Sequence, residues 1–294
     1  MPCFVSVEPA GFCQLRCPEC PVGAARRDKD SGQGRTLPLP LFRHILSELS
    51  PYVHTVQFYF QGEPLLCRDL PEMIRLAHRD GLYTIVSTNA QALTQERAET
   101  LVQAELSRII VSMDGLTQAS YEAYRQGGDV QKVYAALRFL RQAKTKHKSR
   151  ICIELQCLMF RSNEHEWEDF KRLYRRLGAD RLTFKTAQFY DFQHGNPLMP
   201  SDPRFSRYDK QKDGTYRLKR SHRRICRRLF YGCVIDAEGR VLPCCFDKAR
   251  QFAFGTLSVD TPFRTVWNSE CAARFRSAVL RRRETIPICS NCTE

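Results

Sequence analysis

The sequence predicts an α/β fold: an open, partial (β/α)6 TIM-like barrel, followed by a small cysteine-rich α+β unit made of a β-hairpin and a helix. Three observations carry this expectation. Short β-branched runs alternate with amphipathic stretches from residue 4 to about 187. Composition turns rich in Pro, Gly and charge after 190, and cysteines crowd the chain from 226 onward. The expected units are a barrel over 1–190, a bridge over 191–225 and a cysteine-rich domain over 226–294.

In chain order, "FVSV" (4–7) is the first strand, and "LFRHILSELS" (41–50) has apolar residues at helical spacing. "TVQFYF" (55–60) is a strand, followed by a helix near 69–80, the strand "YTIVS" (83–87) and a helix near 94–104. The strand "SRIIVSM" (107–113) leads to a helical region over 117–146, interrupted at Gly127-Gly128. "ICIELQCLMF" (151–160), the helix 163–178 and "RLTFKTAQF" (181–189) complete six strands, each but the last followed by a helix. That alternation is the signature of a parallel sheet with right-handed crossovers, whose chemistry is expected at the C-terminal ends of the strands. The segment 190–225 reads as a linker wrapping the barrel mouth, and "VIDAEGRVLPCC" reads as a hairpin with cysteines at the end of its second arm.

With 43% hydrophobic and 11% aromatic residues the chain is expected to bury a large core. No run of ~18 apolar residues is present, so no membrane helix is expected. The N-terminus "MPCFVSVEPA" lacks the basic and apolar regions of a signal peptide, which points to the cytoplasm. Fourteen cysteines then read as metal ligands and core thiols rather than disulfides. The formal charge of +14 is concentrated in "RLKRSHRRICRRLF" (217–230) and "RRRE" (281–284), and could steer an anionic substrate. No nucleic-acid module accompanies it, so nucleic acid is not expected as a partner.

"GFCQLRCPEC" (11–20) places Cys13, Cys17 and Cys20 on the loop after the first strand. Three thiolates on one short loop can hold three irons of a [4Fe–4S] cube and leave the fourth open, and an open position is what a catalytic metal site keeps. This C-x3-C-x2-C pattern resembles that of the radical S-adenosylmethionine (radical SAM) enzymes. Companion motifs follow at later strand ends. "QGEP" resembles the family's Gly-Gly-Glu-Pro turn, with Gln61 in place of the first glycine and Gly62, Glu63 and Pro64 matching. "STNAQAL" resembles its Ser/Thr-Asn turn, at Thr88 and Asn89. The resemblance implies that Gly62, Glu63 and Pro64 form the turn for the cofactor's amino group. It places Thr88 and Asn89 beside the methionine or ribose portion, and Ser112 and Asp114 of "VSMDG" near the ribose hydroxyls. Gln156 and Lys185, on strands five and six, are candidate adenine or substrate contacts, while Cys152 and Cys157 read as core residues.

The C-terminal unit resembles the SPASM extension of one radical SAM subgroup in its shortened, twitch form. That likeness implies one auxiliary [4Fe–4S] cluster held by Cys226, Cys244, Cys289 and Cys292, with Cys233 as an alternate to Cys226. A structural zinc site from the same four cysteines is the competing reading. Asp247, three residues past Cys244, is the carboxylate nearest that site and a candidate base. Cys3, Cys67 and Cys271 read as structural thiols.

The implied cofactors are two [4Fe–4S] clusters and S-adenosylmethionine, with an electron donor such as flavodoxin or ferredoxin as partner. The implied activity is radical SAM oxidation of a peptide or a small polar metabolite, by a hydrogen abstraction that the auxiliary cluster assists. RNA modification, or a zinc-binding interaction protein on a barrel scaffold, are the alternatives.

Overall fold

A computed structural model describes residues 1–25, 34–219 and 226–293. The basic run expected to steer a substrate includes 220–225, which lie outside the described residues. Six parallel strands form as expected: β1 (Phe4–Val7), β2 (Thr55–Phe58), β3 (Tyr83–Thr88), β4 (Arg108–Ser112), β5 (Cys152–Met159) and β6 (Arg181–Thr186), paired in sequence order. Their central residues Val5, Val56, Val86, Ile109 and Ile153 are buried, as near-continuous apolar runs in a parallel sheet require.

Helices α1 (Pro21–Ala25), α2 (Leu39–Leu49), α3 (Leu70–Arg79), α4 (Gln95–Gln103), α5 (Gln118–Glu122), α6 (Val130–Lys146) and α7 (Trp167–Leu173) connect the strands. Each of α2, α3, α4 and α6 turns one apolar stripe to the core, including Phe42, Met73, Leu101 and Leu137. The break at Gly127-Gly128 separates α5 from α6; Gly127 has φ +78°, which glycine adopts without steric cost. The helix expected over 163–178 is shorter, because a 3-10 turn over Glu164–Glu166 precedes α7.

The bridge is more ordered than its composition predicts. β7 (Tyr208–Lys210) and β8 (Tyr216–Leu218) form an antiparallel hairpin around Gly214, at φ +85°.

After α8 (Arg228–Tyr231), the expected C-terminal hairpin is β9 (Gly232–Ile235) and β10 (Arg240–Leu242), turning at Gly239 with φ +80°. It does not form a sheet of its own. β9 pairs parallel with β1, and β11 (Gly255–Thr256) continues beyond β10, so the order is β11-β10-β9-β1-β2-β3-β4-β5-β6. Gly232 lies opposite Phe4, where a Cβ would fall 2.2 Å from the ring. Helices α9 (Phe263–Trp267), α10 (Glu270–Arg282) and α11 (Pro287–Ser290) close the chain, and Phe263, Val266 and Val279 join the main core.

Candidate functional site

The C-terminal ends of the parallel strands converge on a cavity of about 230 Å³. Its wall includes Cys13, Cys17 and Cys20 from the loop after β1, and Gly62 and Glu63 from the turn after β2. Thr88 and Asn89 come from the end of β3, Ser112 from β4 and Leu158 from β5. The cysteine loop packs closely: Gly23 on α1 sits where a Cβ would be 2.7 Å from the Cys17 backbone. Leu15, Tyr124, Phe160 and Phe189 form an apolar cluster around the loop, with Tyr124 and Phe160 stacked at 4.1 Å.

The three thiols share this low-dielectric space. Burial pushes the Cys13 thiol up to about 12, and nearby Glu63, Cys17 and Cys20 push the same way. Cys13 Sγ accepts hydrogen bonds from Asn89 Nδ2 (3.3 Å) and the Leu15 amide (3.4 Å), contacts of the kind that tune an iron-bound thiolate. Among the described residues no three His, Cys, Asp or Glu side chains converge on one ion position. A [4Fe–4S] cube, which puts each thiolate on a different iron, asks only that the thiols face a common space.

The Gly-Glu-Pro turn is rigid for identifiable reasons. A Cβ on Gly62 would lie 1.9 Å from the Ala10 carbonyl oxygen, so only glycine fits. Glu63, 2% exposed, accepts from Thr88 Oγ1 (2.6 Å), the Asn89 amide (2.8 Å) and the Leu65 amide (3.1 Å). These donors clamp the β2 turn to β3 and favour the carboxylate; burial outweighs them and raises its pKa. Pro64 opens the following 3-10 turn and does not line the cavity.

Sequence reasoning missed Glu8, which braces this turn from behind. It is 1% exposed, and its Oε1 accepts from the Gln61 (3.0 Å) and Gly62 (3.1 Å) amides. Its Oε2 accepts from the Ala237 amide and Arg250 Nη2, both at 3.3 Å, and so ties the turn to the C-terminal hairpin. The one available signal was an acid placed directly after an apolar strand.

Several expected contacts fall elsewhere. Asp114, expected near the ribose, is 0% exposed and does not line the cavity. Its Oδ2 pairs with Arg125 Nε at 2.6 Å and its Oδ1 accepts from the Leu158 amide at 2.7 Å, so both oxygens are engaged within the fold. Arg125, also missed from the sequence, lines the cavity and hydrogen-bonds Cys17. Gln156 pairs with Ser112 across β4 and β5 and stays off the cavity wall. Lys185 lies opposite Leu158 and therefore on the inward-facing row, but is exposed and outside the cavity. Asp247 is 0% exposed and accepts from the Gln251 and Phe252 amides, both at 2.9 Å. Those bonds make it the cap of a turn.

The second cysteine set gathers around Cys289, whose thiol feels both Cys292 and Cys226; Cys244 in turn feels Cys289. Burial raises the Cys289 thiol, and the adjacent Arg283 guanidinium opposes that rise. Arg283 is 3% exposed and donates to Cys292 Sγ at 3.4 Å, a cation built against this group of thiols. Cys233, the alternate to Cys226, lies on β9 opposite Val5 in the main core, beside Arg276. Asn291 joins the closing loop to the bridge by accepting from the Tyr208 hydroxyl (2.9 Å) and donating to the Phe189 carbonyl (2.6 Å). Lys248, on the loop after Cys244-Cys245, lines the first cavity, so this loop reaches from the C-terminal unit to the first site.

The model of the radical SAM superfamily matches residues 7–174, more than half of the chain. This protein belongs to the radical SAM superfamily. The SPASM model, an iron–sulfur cluster-binding domain, matches residues 226–293. The PqqA peptide cyclase of Bradyrhizobium diazoefficiens is 30% identical over 209 residues, 68% of this chain and 51% of that protein. The chain therefore spans about half the length of the curated relatives it matches.

Among solved structures, BtrN in complex with AdoMet and 2-DOIA superposes with a TM-score of 0.57 at 18% identity, over 100% of this chain and 94% of that one. Streptococcus suis SuiB bound to precursor peptide SuiA gives 0.68 at 13% identity, over 100% and 71%. At these identities the likeness is one of fold. The radical SAM domain brings a [4Fe–4S] cluster and S-adenosylmethionine as cofactors, and the SPASM domain brings further iron–sulfur ligation. No helix among the described residues is long and apolar enough to cross a membrane.

Proposed function

We propose that the protein is a radical SAM oxidoreductase of the maturase type, acting on a peptide. The observation that carries this reading is that the thiols of Cys13, Cys17 and Cys20, the clamped Gly62-Glu63 turn and the Arg125 guanidinium, only 15% exposed, line one cavity. Cys13, Cys17 and Cys20 would hold the catalytic cluster, and Cys226, Cys244, Cys289 and Cys292 the auxiliary one. The cluster, when bound, would supply the one-electron reduction of S-adenosylmethionine by which such enzymes abstract hydrogen from substrate.

The chain's own residues bind and orient. Glu63, held by Thr88, Asn89 and Leu65, presents carboxylate charge to the cofactor's ammonium, and Arg125 presents a cation to its carboxylate. Ser112 and Asn89 offer hydrogen bonds to its polar edge. The apolar wall of Leu15, Tyr124 and Phe160 keeps water from the cysteine loop. A peptide substrate is favoured by the relative matched over 68% of this chain, whose name is that of a peptide cyclase. The net charge of +14 suits an acidic electron donor such as flavodoxin or ferredoxin.

Anaerobic reconstitution tests the reading. The wild type should carry about eight irons for two cubes and release 5′-deoxyadenosine on reduction. The Cys13→Ala/Cys17→Ala/Cys20→Ala variant should keep about half the iron and release none. Zinc without iron, or cleavage that persists in this variant, would sink the assignment.

A further inference from the structure

Where the family's turn has a glycine, this chain has Gln61, and its side chain reaches into the C-terminal unit. Gln61 Nε2 donates to the Lys248 backbone carbonyl at 2.7 Å, across 187 residues of sequence. That bond settles the amide's orientation, because only the NH2 group can face a carbonyl oxygen. Oε1 then points the other way. It is buried and has no donor among the described residues, while Gln61 itself lines the cofactor cavity. A buried acceptor left unpaired is costly, and a native fold tolerates one where a ligand completes it. The backbone beneath cannot shift to relieve it. Glu8 holds the Gln61 and Gly62 amides, and Gly62 presses against Ala10.

We propose that the Gln61 side-chain oxygen accepts a hydrogen bond from an N–H or O–H group of S-adenosylmethionine. Its anchor on Lys248 makes cofactor affinity depend on how the C-terminal loop is seated. Asp247 caps that loop through the Gln251 and Phe252 amides, so the seat extends to the segment after Cys244-Cys245. The inference rests on the radical SAM reading above and adds to it a route by which the auxiliary-cluster unit conditions the first site.

Isothermal titration of S-adenosylmethionine into the anaerobically reconstituted protein tests it, with iron content and unfolding temperature measured alongside. Gln61→Leu keeps the volume and removes both hydrogen bonds. Binding should weaken about tenfold, equivalent to roughly 1.4 kcal/mol, at unchanged iron content. Gln61→Asn, too short to reach both partners, should show the same loss and serves if the leucine variant does not fold. Asp247→Ala, outside the cavity, should weaken binding about threefold by loosening the Lys248 loop.

A wild type that binds no S-adenosylmethionine would defeat the proposed function itself. Wild-type affinity in both Gln61 variants would overturn this inference alone. Loss in the Gln61 variants with full affinity in Asp247→Ala would overturn the coupling to the C-terminal loop.

Discussion

Replacing Asp114 by asparagine removes one buried charge and almost no volume. The aspartate is 0% exposed and its partner Arg125 only 15%, with Nε and Oδ2 at 2.6 Å. Asparagine can still accept from the Leu158 amide through its oxygen, but its NH2 group would face the guanidinium. Arg125, only 15% exposed, would then lose its carboxylate counter-charge. At an effective dielectric of about 20, charges about 4 Å apart attract by roughly 4 kcal/mol. Breaking a buried pair from one side costs about 3–5 kcal/mol. Guanidinium unfolding of the reconstituted protein, followed by the fluorescence of Trp167 and Trp267, reads the effect. With an m-value of about 5 kcal/mol/M, the midpoint should fall by roughly 0.8 M. Adding Arg125→Met should recover at least about 1 kcal/mol, because no unpaired charge then remains. A midpoint within about 0.1 M of wild type, together with weaker cofactor binding, would refute this reasoning and restore the ribose contact.

Two further outcomes follow from the same structure. Burial holds the Glu8 carboxyl above its ordinary pKa of 4.5, so the folded state keeps a proton that the unfolded chain has released. Glu8's contribution to stability is therefore greatest below 4.5 and is lost as pH rises from there through the raised value. Unfolding midpoints measured across that window should show the decline in wild type and lose this component in Glu8→Gln. In the C-terminal unit, Cys226→Ala should lower reconstituted iron by about four per chain, whereas Cys233→Ala should leave it unchanged. Equal iron in both would reject Cys226 as a ligand.

Local patterns carried much of the fold and part of the site. Six apolar runs became six parallel strands because an alternating β-α pattern admits few other packings. The spacing of Cys13, Cys17 and Cys20 was legible because all three lie on one short loop; Gly62 was marked only by its likeness to the family turn, and the structure supplies the reason, a site with no room for a Cβ. Glu63, Thr88, Asn89 and Ser112 were picked out through the resemblance to radical SAM motifs, and the fold brings them to one cavity at the strand ends, where a parallel sheet gathers its loops.

What the sequence could not specify is which polar group would face which. Asp114 and Asp247 sit in the right neighbourhoods, and the fold turns their oxygens to Arg125 and Leu158, and to Gln251 and Phe252. The hairpin was readable, but its seat against β1 was not, since an apolar strand does not name its neighbour. That one pairing brings Ala237 and Arg250 to Glu8, and with the Lys248 loop on Gln61 it makes the cofactor turn and the C-terminal unit a single braced structure. Sequence by itself determined which residues could do chemistry. Tertiary packing decided which of them are already occupied, because in a low-dielectric interior every buried donor and acceptor must find its partner across the fold.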